Sequence, residues 1–77
     1  MHVNIKYFGM LAEITGCHSE QLVISSPKIA GLKEALLHKY PDFAHTDFRI
    51  AQNQELVVDT SPLTGKEIGV LPPFAGG

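Results

Sequence analysis

The side chains able to do chemistry are few in this chain, and their spacing does not bring them together. There are four histidines, His2, His18, His38 and His45, and one cysteine, Cys17. No histidine stands three or four residues from another histidine or from the cysteine, and Pro41 separates His38 from His45. A structural zinc site takes about four converging ligands, so the histidines read as exposed or structural. Cys17 precedes His18, and a thiolate beside a histidine can be reactive, but a lone cysteine between two elements reads as idle. One thiol forms no internal disulfide, and it falls short of the roughly four cysteine ligands of a plant-type iron–sulfur cluster. The carboxylates Glu13, Glu20, Glu34, Asp42, Asp47, Glu55, Asp59 and Glu67 are scattered and read as solvated surface. Nothing resembles a nucleophile, its base and the group that orients them. No glycine-rich turn follows a strand and opens a helix, so no phosphate-cradling loop is expected. The chain carries no recognisable catalytic machinery of its own.

The chemistry is expected instead at the closing stretch, LPPFAGG, Leu71 to Gly77. Pro72 and Pro73 remove two backbone donors, so a strand cannot continue through them. They project the last four residues stiffly away from the sheet, in polyproline fashion. Phe74 is apolar where no core remains to receive it, which suits a partner's pocket. Ala75, Gly76 and Gly77 form the slimmest peptide available, able to thread a channel closed to side chains. A terminal glycine carboxylate is unhindered and open to activation. The competing reading is a frayed terminus. Pro72, Pro73, Phe74, Ala75 and Gly76 are therefore candidates for tail insertion, with the carboxylate of Gly77 as the reacting group.

Something has to hold that tail out, and the hydrophobic pattern supplies it. Over residues 2–8, Val3, Ile5 and Tyr7 alternate with His2, Asn4 and Lys6, a half-buried strand whose pattern Phe8 breaks. Met10, Leu11 and Ile14 give one or two helical turns closed by Gly16. Residues 18–25 predict a second strand with Leu22 and Ile24 inward. Ser25-Ser26-Pro27 reads as a helix entry. Ile29, Leu32, Leu36, Leu37 and Tyr40 fall at i, i+3, i+7, i+8 and i+11, one apolar stripe on a helix over about 29–39. Gly31 weakens its first turn by roughly 0.5–1 kcal/mol relative to alanine, and Pro41 ends it. Residues 42–47 read as a loop. Phe48 and Ile50 alternate with Arg49 and Ala51 in a short strand, Asn53-Gln54 turns, and 55–58 returns. Thr64-Gly65-Lys66 is turn chemistry, and 67–71 is a last strand with Ile68 and Val70 on one face and Gly69 and Leu71 on the other.

Strand, short helix, strand, long helix and three strands give an α+β fold: one mixed sheet covered by one main helix, since a helical stripe must be buried against something. The domain is expected to span 1–71, with 72–77 as an extended tail. At 77 residues there is room for a single domain,. Net charge is −2, and the six basic residues are dispersed, which argues against a phosphate-backbone partner. No early run reads as a signal peptide, and no apolar stretch approaches the roughly 18–20 residues that cross a bilayer. A single unpaired cysteine suits a reducing cytoplasm.

The order of elements is similar to the ubiquitin-like β-grasp. The segments VNIKYFGMLAEITG, LTGKEIGV and LPPFAGG together resemble the small subunit of molybdopterin synthase, a sulfur-carrier family of the β-grasp group. The paired prolines before Gly-Gly carry the distinction from sulfur carriers for thiamine, tRNA thiolation or amino-acid synthesis and from ubiquitin-like modifiers, which share the Gly-Gly end. Lys66 departs from the family, which more often has aspartate there. The resemblance implies that an adenylylating enzyme uses ATP to activate Gly77 and that a sulfur donor then leaves a thiocarboxylate. The tail would insert into a large subunit and give up its sulfur to a pterin precursor. Two small and two large subunits would form a heterotetramer, with the catalytic side chains in the large one. No cofactor would be bound by this chain.

Overall fold

The computed structural model describes residues 1–73; Phe74, Ala75, Gly76 and Gly77 lie outside the described residues. The elements in chain order are β1 (His2–Tyr7), α1 (Met10–Thr15), β2 (Ser19–Val23), α2 (Ile29–Lys39), a 3-10 helix (Pro41–His45), β3 (Arg49–Gln52), β4 (Glu55–Val57) and β5 (Ile68–Leu71). The strands form one five-stranded sheet in the order β2-β1-β5-β3-β4. β1 and β5 pair in parallel at its centre, and every other pair is antiparallel. One face of the sheet carries α2, as the single apolar stripe requires.

The core follows from the alternation. β1 buries Val3, Ile5 and Tyr7 and exposes the residues between. Ile68 and Val70 of β5 and Ile50 of β3 extend that inner layer, and Ile29, Leu32 and Leu36 of α2 close over it. Each such aliphatic side chain contributes about 1.5–3 kcal/mol on burial. Leu37 lies at the edge of the stripe and stays 37% exposed. The two-residue turn between β3 and β4 has Asn53 at φ 54° and Gln54 at φ 68°, the left-handed pair that matches the twist of a hairpin. Buried Gln52 ties β3 to the next loop: its amide donates to the Pro62 carbonyl (2.9 Å) and its oxygen accepts from the Thr64 N–H (2.9 Å).

Three readings of the local structure need correction. Residues 42–47 are not simply a loop. Pro41–His45 winds a 3-10 helix that buries Phe43, with ring centroids 5.8 Å from Tyr40 and 5.1 Å from Phe48. The entry to α2 does not use the serine–proline signal directly. Its N-cap is Lys28, in extended conformation and without a side-chain cap. The amides of Ile29 and Ala30 instead donate to the carbonyls of Ser61 and Asp59, each at 3.0 Å, so a remote loop satisfies the helix start. Gly31 is a packing residue: a Cβ there would lie 2.0 Å from the Cβ of Ser26.

Candidate functional site: the tail root and the sheet face beside it

β5 lies between β1 and β3, so the chain leaves the sheet near its middle. The exit is fixed on the β1 side. The Phe8 N–H donates to the Val70 carbonyl at 3.1 Å. Gly9 has φ 59°, and a Cβ there would meet Cγ of Pro72 at 3.4 Å. Pro72 is half-buried and Pro73 exposed. Both predicted proline positions thus stand at the mouth of the sheet, beyond the end of β5 at Leu71. The other predicted site residues, Phe74 to Gly77, fall outside the described residues.

The outer face of the sheet beside this exit is apolar. Register places Lys6, Gly69, Ala51 and Leu56 in one row across β1, β5, β3 and β4, and Leu71 beside Arg49 in the next. Phe8 is 45% exposed, Leu56 60% and Val58 65%. Phe8, Ala51, Gly69 and Leu71 line a recess of about 200 Å³, with Lys6 and Glu67 at its rim. Those two charges pair at 3.3 Å while half exposed, a contact worth at most about 1 kcal/mol. An apolar recess bordered by charges on a solvent-facing sheet is a candidate interaction surface. The sequence held the signal in Phe8 and Leu71, apolar residues on the side of their strands that alternation assigns to solvent.

Away from the tail, Glu20 is the most heavily bonded carboxylate among the described residues. Sequence reading placed it on the solvated surface; it lies on the inner side of β2 and accepts from Tyr7 Oη (2.6 Å), Lys39 Nζ (2.7 Å) and Tyr40 Oη. Burial alone would raise its pKa, but hydrogen bonds from Lys39, Tyr40 and Tyr7 outweigh that and hold the carboxyl below its ordinary value. Burial and then the bond to Glu20 push both phenols well above the usual tyrosine range. This knot joins β1, β2 and the C-terminal end of α2, and all its groups are spent on one another, so it is structural. Cys17 is half-buried nearby, with Sγ 3.7 Å from Thr15 Oγ1. Among the described residues no three histidine, cysteine or acidic side chains are grouped to hold a metal. No helix there is long and apolar enough to cross a membrane.

A five-stranded mixed sheet with one covering helix and a tail leaving its central strand defines a ubiquitin-like β-grasp domain. The sequence pattern of the ThiS family matches residues 5–77, and the chain belongs to that family. No curated protein matches the sequence. Among solved structures it is similar to a Pyrococcus furiosus protein assigned as molybdopterin converting factor, subunit 1. There the TM-score is 0.88 at 23% identity, over 96% of this chain and 99% of that one. It is also similar to small archaeal modifier protein 1 from Methanosarcina acetivorans, with TM-score 0.80 and 25% identity, over 99% and 96% of the two chains. A third likeness is to a complex of subunits 1 and 2 of molybdopterin-converting factor from Helicobacter pylori, with TM-score 0.67 and 25% identity over the full length of both chains.

Proposed function

We propose that this chain is a sulfur carrier in molybdenum cofactor biosynthesis, the small subunit of a molybdopterin synthase. The observation that carries the reading is the tail root. A central strand ends at Leu71, Pro72 packs half-buried beside Gly9 and Pro73 is exposed beyond it, and an apolar face lies alongside for a partner that takes the residues beyond. In this reading the Gly77 carboxylate attacks ATP on a separate adenylylating enzyme and displaces pyrophosphate. Sulfide-level sulfur from a donor then attacks the acyl carbon, AMP leaves with the bonding electron pair, and a thiocarboxylate remains on Gly77. An acyl-adenylate is needed because a bare carboxylate is a poor electrophile. The tail next enters a large subunit, which supplies the catalytic side chains for transfer to a pterin precursor. Pro72 and Pro73 give reach, Phe74 an anchor, and Ala75 and Gly76 passage through a narrow channel. The heterotetramer of two small and two large subunits is part of the same proposal, as is the cytoplasm, where ATP-dependent activation takes place.

The H. pylori likeness supports a large-subunit partner, because that structure is a complex of subunits 1 and 2. The M. acetivorans likeness favours a second reading, a protein modifier joined through Gly77 to a lysine. Intact mass after incubation with ATP, a sulfur donor and the adenylylating enzyme separates them. An oxygen-for-sulfur gain at Gly77, transferable to a pterin precursor on the large subunit, is the expected result. An isopeptide bond to a lysine, with no thiocarboxylate consumed by a pterin acceptor, would replace the proposal with the modifier reading.

A further inference from the structure

Two recesses flank the point where the chain leaves the sheet. The apolar one, around Gly69, can hold a partner but cannot orient it, since hydrophobic contact is non-directional. The second, a cleft of about 660 Å³, has Pro73 in its wall together with Lys33, Asp47, Phe48, Arg49 and Asp59. Its four charges are not equivalent. Lys33 Nζ lies 2.6 Å from Asp59 and 5.9 Å from the centre of the Phe48 ring, so those two charges are committed within the fold. Asp47 and Arg49 are exposed, two residues apart, and enter no salt bridge among the described residues. Arg49 pairs in register with Leu71, the last residue of β5. It is thus a cation set on the apolar outer face beside the tail root.

We propose that Asp47 and Arg49 form a charge-reading contact for the protein that accepts the Gly77 tail, which presents a carboxylate to Arg49 and a cationic side chain to Asp47. The inference rests on the carrier function proposed above. Any protein that encloses the residues after Pro73 meets Pro73, which is part of the wall of this cleft. A surface bearing the opposite charges in matching order fixes one docking orientation and raises the penalty for partners that lack it. Arginine suits the task, with five donors in a planar fork that meets a carboxylate on two bonds. The two recesses then divide the work, one supplying area and the other register.

The test uses the full chain and the acceptor subunit encoded by the same organism, with affinity measured by calorimetry at low and high salt. Arg49→Glu and Asp47→Lys are compared with Gln21→Glu, an exposed change on the opposite edge strand. Each of the first two is expected to weaken binding on the order of tenfold at low ionic strength, and less at high salt, where such pairs are screened. Gln21→Glu should bind as wild type, and all three should melt as wild type because the positions are exposed. Unchanged affinity for Arg49→Glu and Asp47→Lys, with wild type still charged at Gly77 and bound by the acceptor, overturns the inference alone. The same holds if the two variants lose affinity only for the adenylylating enzyme. A wild-type chain that neither gains a thiocarboxylate nor binds the acceptor overturns the carrier reading and the inference with it.

Discussion

Alanine at position 31 sets helix propensity against packing and gives them opposite signs. On propensity, Gly31→Ala in the first turn of α2 stabilises by roughly 0.5–1 kcal/mol. In the fold, the new methyl group would lie 2.0 Å from Cβ and 2.1 Å from Oγ of Ser26, more than an ångström inside ordinary contact. Cβ is not the free end of a flexible chain, so the segment joining β2 to α2 must move away from the helix. Overpacking of this kind costs about 1–3 kcal/mol. That leaves Gly31→Ala destabilised by on the order of 1–2 kcal/mol, a fall in Tm of roughly 5–15 °C for a domain this small. Ser26→Gly removes both offending atoms and leaves only Cα, 3.5 Å away. It also forfeits the bond that the Ser26 hydroxyl accepts from the Lys28 N–H at 3.2 Å. In that background Gly31→Ala should raise Tm, so the two substitutions must couple strongly in a double-mutant cycle. Thermal melts of the four proteins by circular dichroism decide it. A Tm that rises for Gly31→Ala in the wild-type background, or shifts equally in both, would refute the packing argument.

Glu20→Gln removes the charge on which Tyr7, Tyr40 and Lys39 converge, and should cost about 1–3 kcal/mol at neutral pH. Because the folded carboxyl titrates below its ordinary value of 4.5, that contribution is complete above about pH 4.5 and disappears as pH falls through the folded value. The stability gap between wild type and Glu20→Gln, measured by urea titration, should therefore close on acidification; a gap constant with pH would show that the charge plays no part. Gln54→Gly relieves a side chain held at φ 68° and should stabilise the hairpin by about 0.5–1 kcal/mol. It would be seen as a higher urea midpoint with an unchanged slope, and a lower midpoint would mean that the Gln54 side chain makes a contact worth more than the strain. Deleting Gly77, or adding residues after it, should leave the melt unchanged and abolish thiocarboxylate formation; sulfur transfer by an extended, untrimmed chain would sink the proposed function.

The strands and α2 were legible because each repeats one physical requirement several times. Val3, Ile5 and Tyr7 must share a face of β1, and Ile29, Leu32 and Leu36 must share a face of α2, so few other arrangements bury them all. Asn53-Gln54 and Thr64-Gly65-Lys66 were legible as turns from residue type alone. The failures are places where one residue's role depends on a distant partner. Phe43 gave no periodic signal, and its 3-10 helix exists because Tyr7, Tyr40 and Phe48 surround it. Glu20 looked like surface because nothing in its neighbourhood announces two phenols, thirteen and twenty residues away, turned toward it. Gly31 looked like a weak point because propensity is local and Ser26 meets it only in three dimensions.

The candidate site divides the same way. The tail is a local feature, since proline, phenylalanine and glycine act by what they are and need no partner to be noticed. The face that positions it is assembled from four strands. Phe8 looks like a break in alternation until β1 is set beside β5. Gly69 looks incidental until its missing side chain proves to leave a recess against Phe8 and Ala51. Arg49 looks like an ordinary surface cation until register brings it beside Leu71. A single sequence therefore announces the proposed reacting end more readily than the surface proposed for its partners. Carriers that share a Gly-Gly end should differ mainly in that surface. Position 49 is where register sets a cation beside Leu71, so replacing Arg49 tests partner choice without touching the tail proposed to carry the chemistry.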